Sequence, residues 1–417
     1  MIGELLATGD EIRSGALIDS NSAYIAEKLE DAGVEIMRHQ CVGDAEADIV
    51  TVLKEIGGRA DIAVVTGGLG PTEDDLTATA AARAAGVSCE FNETAMKEIE
   101  AFFKTRQRWM SDSNKKQALL PHGSKLLSNP MGTAPGFSLR IGRCTFFFLP
   151  GVPAEMKRML DDHVLPFILK SSGLDPAVSI KRTITTFGLT EAATGEQLCD
   201  LNRHFPEVRL GLRAKFPEIQ VKLYAYGKNR SHLTGQVEKA AAWVSDKLGR
   251  YIISLTGEPM EVVVGNLLRG RKETVAVAES CTGGLISHRI TNVSGSSDYF
   301  LFAGVVYSNS AKTDLLGVSR DTLDRFGAVH EETAREMARG VRRITGSTYG
   351  LAVTGIAGPS GGSVEKPVGT VCIGIASPDT VIGKTLHFTF GDRLMNKRIF
   401  SQSALNMLRL ELIRSPI

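Results

Sequence analysis

Short apolar runs alternate with amphipathic stretches along most of the 417-residue chain, and the two periods place its elements. From Met1 to about Lys170, Leu5–Thr8, Val34–Met37, Ile62–Val65 and Phe146–Leu149 read as strands, while Asn21–Leu29 and Asp48–Ile56 repeat apolar residues at helical spacing. Strands separated by helices of this length imply right-handed βαβ units and a mostly parallel sheet. From about Ser171 the texture changes. Lys181–Phe187 and Glu218–Tyr224 alternate like half-exposed strands around helices at Thr190–Asn202 and Gly235–Leu248, and Ile252–Ser254 closes a small α+β module. Beyond Gly257 the α/β rhythm returns, with strands at Val275–Ala278, Ala303–Tyr307, Gly350–Val353, Val371–Ile375 and Thr385–Phe390. Helices fall at Gly284–Thr291, Glu331–Thr345 and Leu394–Ile413. The pattern divides the chain into an α/β block (1–170), an α+β module (171–255) and a second α/β block (256–417), with no obvious internal repeat.

Composition narrows the function classes. With 48 basic and 47 acidic residues the net charge is +1, so there is no global electrostatic case for nucleic-acid or membrane binding. Arg209, Arg213, Lys215 and Lys222 raise the idea of an RNA-binding middle module, but alternating strands on a solvated sheet face give the same pattern. No apolar run reaches the ~18 residues of a membrane span and no secretory leader opens the chain, so a cytoplasmic protein is expected. The six cysteines are scattered with no C-x-x-C pair, which suits buried thiols in a reducing compartment. The 43 glycines cluster in turns after apolar runs, as in α/β proteins that bind ligands at strand ends.

Two stretches carry candidate chemistry. In the first block, Thr66-Gly-Gly-Leu-Gly-Pro-Thr-Glu-Asp-Asp75 follows a strand directly. Its glycines let backbone approach an anion, and the acids beyond can hold a divalent cation bridging phosphate oxygens. The same text also fits a tight turn and a helix start capped by Thr72. Asp10, Glu11 and Asp44 end or follow other strands, and Asn129–Gly136 is too rich in turn formers to be core. In the last block, Glu279-Ser-Cys-Thr-Gly-Gly284 is a polar turn at a strand end, followed by Gly295-Ser-Ser297, Tyr307, Lys312 and Thr354-Gly-Ile-Ala-Gly358. No histidine lies in these motifs, so a Ser-Lys arrangement is easier to assemble than a Ser-His-Asp triad. Spacing leaves Ser280 and Ser297 both open as the nucleophile.

These motifs, in this order, resemble the CinA (competence/damage-inducible protein A) family: Gly9-Asp-Glu11, Asp19-Ser-Asn21, the Thr66–Asp75 run, Asn129–Gly136 and Leu149–Pro153, then the C-terminal serine and lysine motifs. The resemblance covers essentially the whole chain. It implies a molybdopterin-binding-like, three-layer α/β domain, a KH-like α+β module and a C-terminal α/β amidase domain. It also implies two activities: ADP-ribose pyrophosphatase at the N-terminus and nicotinamide mononucleotide (NMN) deamidase at the C-terminus. On matched positions, the family places its nucleophile at Ser297 and proton transfer at Lys312 and Tyr307. Ser280, Thr282, Gly283, Gly284, Thr354, Gly355 and Arg393 then surround the substrate. The N-terminal site is expected to use Asp10, Glu11, Asn21, Gly67, Gly68, Gly70, Thr72, Gly132 and Thr133. Asp74 and Asp75 are expected to hold a divalent metal ion (Mg, Mn or Co), with potassium as a further candidate. A homodimer is the expected assembly. The alternative is a binding protein of DNA uptake or repair with a non-catalytic pterin- or nucleotide-binding N-terminal domain.

Overall fold

The computed structural model describes residues 1–171 and 178–414, so the first residues of the predicted middle module, 172–177, lie outside the described residues. The chain forms two compact units, residues 1–181 with 225–234 and residues 182–224 with 235–417.

The N-terminal strands are β1 (Ile2–Thr8), β2 (Glu35–Val42), β3 (Ile62–Thr66), the two-stranded ribbon β4 (Cys89–Phe91) and β5 (Leu119–Pro121), then β6 (Lys125–Leu127), β7 (Gly136–Ile141) and β8 (Cys144–Leu149). The main sheet runs β2-β1-β3-β8-β7-β6, with β2, β1, β3 and β8 mutually parallel and β7 and β6 antiparallel. The expected parallel sheet therefore gains an antiparallel margin. Alternate residues of each central strand enter opposite cores: Ala63, Val65, Phe146 and Phe148 pack into one, and Ile62, Val64, Phe147 and Leu149 into the other. Both faces being covered makes the domain three-layered, and explains why β3 reads as an unbroken apolar run rather than an alternating one.

The middle module pairs β9 (Val178–Thr186), β10 (Val208–Lys215), β11 (Glu218–Gly227) and β12 (Ile252–Ser254) in the order β10-β11-β9-β12. The helix predicted over Thr190–Asn202 divides into Glu191–Gln197 and Leu201–His204. Tight bonds from Leu198 N–H to the Gly195 carbonyl and from Cys199 N–H to the Glu196 carbonyl end its first part.

The C-terminal sheet is β13 (Val275–Glu279), β14 (Phe300–Val305), β15 (Tyr349–Gly355), β16 (Thr370–Ala376) and β17 (Val381–His387), ordered β14-β13-β15-β16-β17. β14 lies three residues before the position expected at its start. It ends at Val305 because Ser308 caps the helix Asn309–Leu316, accepting from the Ala311 N–H. β17 likewise ends before the predicted Phe390. One sheet face is bulky (Val275, Val277, Leu351, Val353) and the other small (Ala276, Ala278, Ala352). The small face admits the helix Glu331–Thr345 so closely that a Cβ on Gly350 would overlap the Ala338 carbonyl. Because β13, β14 and β15 are parallel, their carboxyl ends share one edge, where the loops that follow them converge.

Candidate functional sites

In the N-terminal unit, the loops after β1, β3 and β8 enclose a cleft of about 690 Å³. Glu11, Asn21, Gly67, Gly68, Gly70, Thr72, Asp74, Asp75 and Thr133 line it together with Asp44 and Glu155; Asp10 and Gly132 do not. Asp10 turns outward to Arg13 at 3.0 Å, and its N–H donates to Asp44. Gly132 sits under the Glu155 carboxylate, where a Cβ would collide with it. The glycine loop is set by backbone geometry: Gly67 and Gly68 have φ of 102° and 64°, and a Cβ on Gly68 would strike the Thr77 hydroxyl.

Thr72 does not cap a helix, since the next helix starts only at Thr77. Its N–H donates instead to the Asp75 carboxylate at 2.9 Å, and its hydroxyl bonds to the same oxygen, closing a local turn. Sequence reasoning missed what braces this turn. Lys116 Nζ donates to the carbonyls of Thr72 and Glu73, and buried Gln117 donates to the Leu69 carbonyl. Among the described residues no group of three or more His, Cys, Asp or Glu side chains is gathered to hold a metal ion. The donor set at the cleft is nevertheless hard oxygen, as Mg²⁺ prefers when substrate phosphates supply part of its shell.

In the C-terminal unit, β13 delivers Ser280 to the shared carboxyl edge, where its N–H bonds to the Val353 carbonyl. The helix Asn309–Leu316 brings Lys312 back beneath it. Lys312 is 1% exposed, and its Nζ lies 3.2 Å from Ser280 Oγ, 2.9 Å from the Val306 carbonyl and 3.0 Å from the Tyr307 carbonyl. Burial holds the Lys312 amine below the ordinary lysine range, because the charged form loses its hydration there. A neutral amine has two N–H donors and one lone pair. In that form the two carbonyls would take the donors and the lone pair would face the Ser280 hydroxyl.

Around this pair the other expected residues take defined positions. The Tyr307 hydroxyl lies 3.3 Å from Arg393 Nη2, while Arg393 Nη1 donates to the Gly358 carbonyl at 2.6 Å. The Thr354 hydroxyl is spent on the Ala328 carbonyl at 2.8 Å, so it braces the strand end. Gly355 is required by the neighbouring strand, since a Cβ there would lie 2.5 Å from the Thr370 carbonyl oxygen. Burial pushes the Cys281 thiol up to about 12, which leaves no thiolate to compete with the serine. Gly283 and Gly284 have φ of 60° and 91°, and the Thr282 hydroxyl is buried without a hydrogen-bond partner. Neither histidine of this unit that the motifs flank is part of the site: His330 caps a helix by accepting from the Glu332 N–H, and His288 pairs with Asn292.

Ser297, the expected nucleophile, is not brought to the Ser280–Lys312 pair within this chain. It lies in the turn Ser296–Asp298 before β14, and Phe300 at the start of that strand is aligned with Val275 at the start of β13. Six residues of strand, roughly 16 Å at the usual rise, separate Ser297 from the edge that holds Ser280 and Lys312. Its side chain is exposed at the opposite end of the sheet. Spacing in sequence cannot tell the two ends of a strand apart; parallel pairing does. The cysteine expectation also changes, because Cys41 and Cys199 are exposed while Cys144, Cys281 and Cys372 are buried.

A further residue was missed in the C-terminal unit. Glu279, fully buried at the end of β13, accepts from the N–H groups of Gly284, Ile286 and Ser287 at 2.9–3.1 Å and from the Ser287 hydroxyl. The carboxylate fixes the turn that carries Ser280 to the helix Leu285–Thr291. The available signal was an acid ending an otherwise apolar strand just before two glycines.

The fold is α/β, with two candidate sites, one a glycine-loop cleft and the other a buried serine–lysine pair. Family models match residues 4–170 ("Probable molybdopterin binding domain"), 181–254 ("Damage-inducible protein CinA KH domain") and 257–412 ("CinA C-terminal domain"). The chain belongs to the CinA family. It is 49% identical over 413 residues to the CinA-like protein of Desulfosudis oleivorans, covering 99% of this chain and 100% of that relative. It is 48% identical over 414 residues to the CinA-like protein of Desulforapulum autotrophicum, covering 98% of each. Among solved structures, the competence/damage inducible protein CihA from Agrobacterium tumefaciens is 37% identical, with 37% of this chain and 94% of that chain covered and a TM-score of 0.36. No described helix is long and apolar enough to cross a membrane.

Proposed function

We propose that the chain is a bifunctional hydrolase of pyridine nucleotides, acting as a cytoplasmic homodimer. The C-terminal site hydrolyses NMN to nicotinate mononucleotide and ammonia. The observation that carries this reading is the buried contact of Lys312 with Ser280, its remaining contacts being two carbonyls. Lys312 takes the Ser280 proton as Oγ bonds to the carboxamide carbon, then returns it to the departing amine so that ammonia leaves an acyl-serine. Water activated by the same lysine cleaves that ester. The backbone N–H groups of the turn at Cys281 and Thr282 follow Ser280 directly. They supply the natural oxyanion donors beside an attacking serine. Arg393, tied to Tyr307, suits the phosphate of the nucleotide.

At the N-terminal cleft the proposed reaction is hydrolysis of ADP-ribose to AMP and ribose 5-phosphate. Asp74 and the free oxygen of Asp75 would hold a divalent ion jointly with the substrate, and the ion would neutralise charge on the two phosphates. The chain's own part is the glycine loop, whose backbone approaches the anion, and Lys116, which keeps that loop in place. Incubating the protein with each nucleotide and following ammonia and AMP tests both assignments. Tight ADP-ribose binding without AMP formation would make the N-terminal domain a binding module.

A further inference from the structure

We propose that the tip of the β10–β11 hairpin, Phe216 to Glu218, is a positioning element of the Ser280–Lys312 site that holds both of its walls; the inference rests on reading that site as the hydrolytic centre. The hairpin belongs to the KH-like module, whose alternating strands otherwise suggest only a solvated sheet. Its tip is engaged on two sides.

On one side the Phe216 ring meets the Phe390 ring edge-on, with centroids 5.1 Å apart. Phe390 is three residues before Arg393. Its carbonyl accepts from Asn396, which also donates to the Ala357 carbonyl. Arg393 in turn grips Gly358 and reaches the Tyr307 hydroxyl. Phe216 thus supports the segment that carries the anion-binding arginine.

On the other side buried Glu218 accepts from Gln402 at 2.9 Å, and Gln402 accepts from Arg289 at 2.6 Å. Arg289 also pairs with Glu261 at 2.6 Å and donates to Ser401. Arg289 lies on the helix Leu285–Thr291, the one Glu279 caps directly after the Ser280 turn. Two residues apart on one turn, Phe216 and Glu218 therefore brace the arginine wall and the serine wall. A cavity of about 240 Å³ lies beside them, lined by Phe216, Glu218, Glu261, Arg289, Ser401 and Gln402. On the Glu218 side the tie is a chain of directed bonds, while Phe216 and Phe390 pack against the core.

The full-length protein tests this with Glu218→Ala and Phe216→Ala, and with Glu218→Gln and Phe216→Leu as conservative partners. Each Ala variant is expected to raise KM for NMN about tenfold with kcat within about twofold, the signature of lost substrate positioning; the conservative variants are expected to stay near wild type. Glu218→Ala removes far less apolar surface than Phe216→Ala, so it carries the test should Phe216→Ala fail to fold. Hydrogen exchange is read in parallel on folded Glu218→Ala: faster exchange confined to residues 285–291 supports the proposal whether or not NMN is the substrate. Unchanged exchange, or an unchanged KM in a protein that turns NMN over, overturns it. Absence of ammonia from the wild type would overturn the reading of the site alone.

Discussion

The two sites occupy the same place in their sheets, the carboxyl edge of parallel strands, yet they are prepared for chemistry in opposite ways. In the N-terminal cleft the structure fixes backbone: glycines at positive φ, a Thr72–Asp75 turn and a lysine clasp shape an open space whose acids stay in contact with solvent. In the C-terminal site it buries an amine against a serine and lowers its proton affinity. The first site waits for charge that a ligand brings. The second, on the proposed reading, carries its base in the chain, at the cost of desolvating a lysine.

The largest effect should fall on the buried pair. Lys312→Met is expected to lower ammonia release from NMN at least about a thousandfold, since one member of a serine–base pair rarely works alone. The variant's melting temperature should change little, because the desolvation penalty goes but the Val306 and Tyr307 carbonyls lose their donor. The folded state resists protonating Lys312, so its stability falls as pH drops below the ordinary lysine pKa, and methionine removes that penalty. ADP-ribose hydrolysis should be unaffected. Chelation should separate the sites from the other direction, reducing AMP formation from ADP-ribose about a hundredfold while ammonia release persists; equal loss at both would erase the contrast.

Acidity gives a finer test. A neutral lysine base predicts that kcat/KM for NMN rises about tenfold per pH unit until pH passes the lowered Lys312 pKa, with the bend below the usual lysine value. A flat profile from pH 6 to 9 would remove Lys312 as the base unless its pKa lay lower still, which an amine-specific NMR titration would detect. Smallest of all, Gly68→Ala should cost about 1–3 kcal/mol of stability through its positive φ and the Thr77 hydroxyl. It should weaken ADP-ribose hydrolysis several-fold while leaving the amidase intact.

Much of this contrast was legible in the residues. Unbroken apolar runs such as Ile62–Val65 announced a doubly covered sheet, and the glycine motifs marked both ligand edges. What stayed hidden depended on through-space pairing. Ser280 and Ser297 both sit in glycine-flanked turns, and only the parallel alignment of β13 with β14 sends them to opposite ends of the sheet. Sequence shows the Asp75 carboxylate but not that Thr72 occupies one of its oxygens, leaving the other for a ligand. Glu279 passed as part of a motif because a buried cap is recognised only when the helix start it serves folds back over it.

Ammonia release from NMN by Ser280→Ala and by Ser297→Ala, at matched folded concentration, tests the central claim most directly. The account predicts a loss of at least about a thousandfold for Ser280→Ala and a change within about threefold for Ser297→Ala. Full activity in Ser280→Ala, with loss in Ser297→Ala, would contradict it.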